Sequence, residues 1–251
     1  VAAETLILVT VARTTGSVPR EVGAWMTVAR GGITGTVGGG HLEFDAIARA
    51  RAALAGGELA EEVRYPLGPK LGQCCGGVVW LRFERIAAGE DLAARLPSEP
   101  LRPLALFGAG HVGQAVARIA RDLPLALHWI DSREGQFPSD PPVRGWRQEV
   151  CAPPADAVAD LAPGSAVLVM SQSHAEDFDI VAASLKRQDL AFIGLIGSRT
   201  KWASFRQRLT ARGFTEAELA RVVCPIGVPA VAGKQPGVIA VAVLAQILSL
   251  R

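Results

Sequence analysis

The stretch that most constrains the fold runs from Leu104 to Asp131. It opens on a short apolar run, Leu104 to Phe107. It passes through Gly108-Ala109-Gly110-His111-Val112-Gly113 and closes on a second apolar run, Leu125 to Ile130. Between the runs, Val112, Val116, Ile119, Ala120 and Leu123 recur at helical spacing. Asp131 follows, 23 residues after Gly108. Strand, glycine turn, helix, strand and acid in this order are the fingerprint of a dinucleotide-binding unit. Gly108 is read as the tight turn, Gly110 as the point where backbone approaches a pyrophosphate, Gly113 as the helix-on-strand contact and Asp131 as the ribose acceptor. The pattern speaks for the fold before it speaks for a ligand, because such turns persist as plain structure.

The alternation continues. Strands are expected at Trp146–Val150, Ala166–Met170 and Ala191–Ile196. Helices are expected at Ala155–Leu161, Ala175–Arg187, Thr200–Arg212 and Gly237–Leu250. Short strands and helices in turn predict a parallel sheet covered on both faces. The N-terminal part reads differently. Strands at Thr5–Ala12, Trp25–Val28, Ile33–Val37, Glu62–Tyr65 and Val78–Phe83 surround one clear helix, His41–Ala55. The fold class is therefore α/β: a C-terminal Rossmann-like, doubly wound parallel sheet with a smaller N-terminal α+β domain. Pro97, Pro100 and Pro103 punctuate an alanine-rich, charged stretch, which places a linker at 89–102 between domains 1–88 and 103–251.

Composition narrows the function classes. Of 251 residues, 49% are hydrophobic and 20% charged, with a net charge of +2 and no basic stripe interleaved with aromatics, so nucleic acid is not an expected partner. No apolar run approaches bilayer length, so no membrane span is expected. The 4 cysteines lie at 74, 75, 151 and 224 without a C-x-x-C pair, which fits a reducing cytoplasm better than a disulfide framework. The sequence begins at Val1 rather than methionine, and its true N-terminus is expected upstream.

Three N-terminal loops concentrate unusual residues: Gly16 to Gly23, Gly35 to Glu43 and Lys70 to Gly77. Gly38-Gly39-Gly40 runs straight into a helix, where free amides can cradle a phosphate; the plainer reading is a steric strand-to-helix turn. Arg20 is a candidate countercharge. His41, Glu43 and Cys75 lack metal-ligand spacing, so a helix start and a packed thiol are the plainer reading. Cys74-Cys75 sits in a glycine loop near Lys70, a setting that can lower a thiol's pKa and make it a soft ligand or sulfur acceptor. In the C-terminal half, Ser171, His174 and Asp177 are too local for a catalytic triad, and Ser173 with Glu176 reads as a capping box. His174 and Arg199 each follow a strand, which puts both at the carboxyl edge of the sheet.

Taken together, Gly16-Ser17-Val18-Pro19-Arg20-Glu21, Gly38-Gly39-Gly40-His41-Leu42-Glu43 and Gln73-Cys74-Cys75-Gly76-Gly77 resemble the xanthine dehydrogenase accessory protein (XdhC/CoxI) family. Phe107 to Gly113, Asp131-Ser132-Arg133 and Ile196-Gly197-Ser198-Arg199-Thr200-Lys201 are similar to that family's Rossmann half, so the resemblance covers nearly the whole chain. It implies a maturation factor, non-enzymatic rather than catalytic. Such a factor binds molybdenum cofactor (molybdopterin), protects it during sulfuration and inserts it into apo xanthine dehydrogenase or a related molybdenum hydroxylase. It implies a cysteine desulfurase as second partner and admits a homodimer. On this reading Arg20, Gly38, Gly39, Gly40, His41, Glu43, Cys74 and Cys75 bind the cofactor, with Cys75 toward molybdenum. Gly108, Gly110, Gly113, Asp131 and Arg199 form a second site, for NAD(P) or another nucleotide. An NAD(P)-dependent oxidoreductase is the alternative; Asp131 favours NAD, while Arg133 can accept a 2′-phosphate. One departure stands out. The family's Gly-Lys-Thr/Ser-Pro-x-Glu stretch reads Gly233-Lys234-Gln235-Pro236-Gly237-Val238 here, without the hydroxyl or the carboxylate.

Overall fold

The structure is a computed structural model that describes residues 2–68, 76–96, 100–139, 143 and 145–250. The chain forms two compact units, one up to Glu99 and the other from Pro100.

The first unit is an antiparallel sheet with a helix on one face. Its strands are β1 (Leu6–Thr15), β2 (Trp25–Val28), β3 (Ile33–Gly35), β4 (Glu62–Pro66) and β5 (Val78–Ile86), in the order β3-β2-β1-β5-β4. Side chains alternate across β1. Ile7, Val9 and Val11 meet Leu42, Ala46, Ala50 and Ala53 of helix α1 (Gly40–Leu54), whereas Leu6 and Leu8 pack with Ala2 and Ile86 on the other face. Strand β5 outruns its expected end at Phe83, because the full length of β1 pairs with it from Leu6↔Ile86 to Thr15↔Val78. A one-turn helix, α2 (Leu92–Arg95), lies within the stretch read as linker, and Leu92 packs under the sheet.

The second unit is a parallel sheet of β6 (Arg102–Phe107), β7 (Leu125–Asp131), β8 (Arg147–Val150), β9 (Ala166–Val169), β10 (Phe192–Leu195) and β11 (Val222–Val223). The order β11-β10-β9-β6-β7-β8 reverses direction between β6 and β9, which is the doubly wound topology. Strands β9 and β10 are buried at every position, as both faces are covered. One face carries α3 (His111–Ala120) and α7 (Pro236–Leu248), packed on Leu104, Leu106, Leu127, Trp129 and Leu168. The other carries α4 (His174–Lys186), α5 (Arg199–Ala211) and a 3-10 helix, Pro154–Asp160, packed on Phe107, Ile130, Val167, Val169 and Ile193. The helix expected at Ala155–Leu161 is this 3-10 segment. Prolines at 153, 154 and 163 bracket it, and the short piece between them takes the tighter form. A four-residue helix, α6 (Glu216–Leu219), has the reciprocal capping box, Thr215 with Glu218.

Candidate functional site

In the first unit the loops converge around glycines. A Cβ on Gly38 would lie 2.5 Å from Pro19 Cγ, and one on Gly77 would lie 2.4 Å from Ser17 O, so the Gly16–Gly23 loop packs on Gly38 and on Gly77. Gly38, Gly39 and Gly40 all take positive φ, the left-handed region that only glycine enters freely. The amides of Val37, Gly38 and Gly39 are already engaged. Glu43 turns back from the first turn of α1 and fills the loop: its Oε2 accepts from Thr36 Oγ1 at 2.5 Å and from the amides of Val37 and Gly39 at 3.1 Å each. Gly38 N donates to Thr36 Oγ1 at 3.2 Å. Burial pushes the Glu43 carboxyl pKa up, and the Thr36 hydroxyl and loop amides outweigh it, holding the group below its ordinary value. The loop already contains an anion, supplied by its own helix. His41 is exposed beside it. Arg20 is half-exposed and pairs with Glu21 at 3.0 Å, a surface pair of small energetic weight. Cys74 and Cys75 lie outside the described residues. Among the described residues no group of three histidine, cysteine or acidic side chains is placed to hold a metal.

The second unit presents its loops at the carboxyl edge of the sheet, where open α/β folds bind ligands. The three glycines of the turn have different reasons to be there. A Cβ on Gly108 would lie 2.1 Å from Met170 O, and one on Gly113 would lie 2.0 Å from Gly108 O. Packing alone requires both. Gly110 is the N-cap of α3 with φ −74°, and a Cβ there would meet nothing within 4 Å. The fold does not explain Gly110, and the space beside it is open.

Asp131 does not face that space with a free carboxylate. It is 3% exposed. Its Oδ2 accepts from Ala109 N at 2.7 Å and Arg133 Nη2 at 3.0 Å, and its Oδ1 from Arg133 N and Arg133 Nε at 2.9 Å each. Burial raises its pKa; the Arg133 guanidinium and the two amides more than offset this, so the pKa is lowered. A carboxylate has about four acceptor positions, and all four are in use.

Three helices begin along this edge, and each starts with a basic residue: His111 on α3, His174 on α4 and Arg199 on α5. All three are exposed. Free amides at helix starts attract anions, and Arg199 adds a positive side chain at one of them. Helices α3 and α5 carry no acid in the first turn. Helix α4 carries two, and both are engaged. Glu176 Oε1 accepts from Ser132 Oγ at 2.6 Å, so only half of the expected capping box forms, with Glu176 N donating to Ser173 Oγ. Asp177 accepts from Ser171 N and Oγ at 2.9 and 2.8 Å and from Lys201 Nζ at 2.5 Å. Lys201 Nζ also donates to Ile196 O at 2.9 Å. The side chains of Lys201 and Asp177 are 9% and 3% exposed, and the pair ties the loops after β9 and β10 together. The sequence groups Asp177 with Ser171 and His174, and Ser171 is among its partners; Lys201 is not marked as a partner, although it stands in a stretch already noted. Local spacing suggested Ser171 and His174 for Asp177, and a lysine 24 residues away has no sequence signature.

Residues 104–247 match the model of the XdhC Rossmann domain, and residues 2–66 match that of the XdhC and CoxI family. The uncharacterized protein YqeB of Escherichia coli (strain K12) is 28% identical over 246 residues, which cover 94% of this chain and 42% of YqeB. The chain thus spans about two-fifths of the length of that curated relative. A Bacillus halodurans protein, whose crystal structure is described as that of a xanthine dehydrogenase, superposes with a TM-score of 0.75 at 20% identity. The superposition covers 98% of this chain and 91% of that one, and shows a shared fold. With one family match in each unit and the longer spanning more than half of its residues, the chain belongs to the XdhC and CoxI family.

Proposed function

We propose that this chain is a maturation factor for xanthine dehydrogenase or a related molybdenum hydroxylase. It holds the molybdenum cofactor while a sulfido ligand is installed and passes it to the apo-enzyme. The observation that carries this reading is the family match in both units. On this reading the factor works in the cytoplasm, as a homodimer, and receives sulfur through a cysteine desulfurase.

The cargo is a pterin dithiolene that ends in a phosphate, so its carrier needs an anion site. We assign the phosphate to the carboxyl edge of the second unit. The open space at Gly110 and the basic helix starts at His111, His174 and Arg199 support this. Gly38 to Gly40 is the weaker phosphate site, since Glu43 already takes the amides of Val37 and Gly39, and Thr36 that of Gly38. In the first unit, Cys75, with Cys74 beside it, is a separate candidate contact: a soft thiolate suits molybdenum. An NAD(P)-dependent oxidoreductase is the other reading of the Gly108 turn. Against it, a ribose diol meets no free acceptor on Asp131.

The test is anaerobic loading of the full chain with molybdenum cofactor, followed by oxidation of the bound pterin and fluorescence. The parent is expected to retain pterin, and Arg199→Ala to retain about tenfold less at limiting cofactor, the scale of one lost charge-assisted contact. Cys75→Ala is expected to lose pterin with an unchanged melting temperature. No pterin on the parent, together with calorimetric binding of NAD or NADP, would replace this reading by the oxidoreductase.

A further inference from the structure

We propose that the cleft between α3 and Trp146 binds a small planar heteroaromatic ring carrying a phosphate or carboxylate. The cleft has a volume of about 290 Å³, at the lower end of small-molecule sites. None of His111, His174 and Arg199 lines it, so it is distinct from the carboxyl-edge site, and the inference does not rest on the maturation reading.

Three features define the ligand. The first is charge. Arg118 and Arg121 line the cleft from α3 and its C-terminal end, and no described lining residue is acidic. Protein surfaces normally intersperse the two signs, and the whole chain carries only +2, so this concentration is local. Arg147 also borders the cleft, but its guanidinium meets Glu149 at 2.6 Å on the opposite, His128 face of β8; Arg118 makes no ion pair or hydrogen bond among the described residues. Guanidinium forks match the oxygens of phosphate and carboxylate.

The second feature is a fixed aromatic wall. Trp146 donates its indole N–H to Leu125 O at 3.1 Å, and the Arg121 guanidinium lies 5.9 Å from the ring centroid. Opposite, Trp129 is 2% exposed and held by Gly108 O at 3.0 Å and by the edge of Phe137 at 5.2 Å. An indole held in place loses little freedom when a flat ring stacks on it.

The third is a polar rim. Gln114 donates its amide N to Ala109 O at 3.0 Å, which leaves its carbonyl oxygen as an acceptor for a ring N–H. The amide of Gln148, exposed at the start of β8, offers both a donor and an acceptor.

The experiment titrates the full chain with AMP and GMP, by calorimetry and tryptophan fluorescence, with adenosine and inorganic phosphate as separate arms. At least one nucleotide is expected to bind saturably and quench. Trp146→Phe is expected to abolish most of the quenching while heat remains. Arg118→Ala is expected to weaken binding about tenfold without lowering the melting temperature. Adenosine and phosphate are each expected to bind at least about tenfold more weakly than the nucleotide. No saturable binding of either nucleotide overturns the proposal. Phosphate binding as tightly as AMP overturns the ring, and a loss on Arg199→Ala equal to that on Arg118→Ala relocates the nucleotide to the carboxyl edge and overturns the site.

Discussion

Glu43 holds Thr36 Oγ1 and the amides of Val37 and Gly39 on one oxygen, and its folded pKa lies below the ordinary carboxylate value. A carboxylate with a depressed pKa contributes stability that is fully present above its unfolded pKa of about 4.3 and is lost as pH falls through the folded value. Glu43→Gln is expected to cost about 1 kcal/mol near pH 7, after discounting for its partial exposure. The gap to the parent should close as pH drops below about 4.3, measured by urea unfolding at both pH values. A gap of constant size would mean that Glu43 does not act as an anion there. The sequence announced an acid in the first turn of α1, and a helix dipole accounts for one. It did not announce that this acid would fill the glycine loop. That depends on three consecutive left-handed backbones aiming the amides inward, a tertiary outcome of Pro19 packing on Gly38. The Asp177–Lys201 pair was hidden for the same kind of reason: its partners come from α4 and α5 and meet only once the sheet has formed.

At the scale of elements, the period of the apolar residues made most of the second unit legible. Strands covered on both faces read as unbroken apolar runs, and β9 and β10 are such runs. Strand β11 escaped because two residues, Val222 and Val223, have no period to read. Helix α6 escaped for a similar reason, being four residues long. The turn from β6 into α3 separates structural glycines from a functional candidate, and substitution can test the separation. Gly113→Ala puts a methyl group 2.0 Å from Gly108 O and is expected to cost about 3 kcal/mol or more by overpacking. Gly110→Ala meets no atom and should cost no more than about 1 kcal/mol as an imperfect N-cap, yet it should reduce bound pterin. Chemical unfolding and pterin fluorescence on the two variants check this. Equal stability losses would mean that Gly110 is packed after all.

For the whole molecule, the hydrophobic cores divide as the chain does. The clusters around Ile7 and Leu8 draw only on the first unit, and those around Phe107 and Leu106 only on the second. A unit with its own core can fold alone. Residues 100–251 expressed by themselves are expected to give a single cooperative thermal transition with native near-ultraviolet circular dichroism; a non-cooperative melt would mean that the second unit needs the first. Helix α2, inside the proline-marked stretch, was not visible in the sequence, since one helical turn leaves little pattern. Among the described residues no helix is long and apolar enough to cross a membrane.

Asp131 gives this unit a further property. A protein that draws stability from its ligand weakens whenever the ligand leaves, in proportion to how tightly it was held. Here the acid that closes the glycine turn is satisfied by Ala109 and Arg133 from within the chain. The turn is held by bonds from within the chain. On the proposed function, a carrier that is filled and emptied many times needs that independence from its contents.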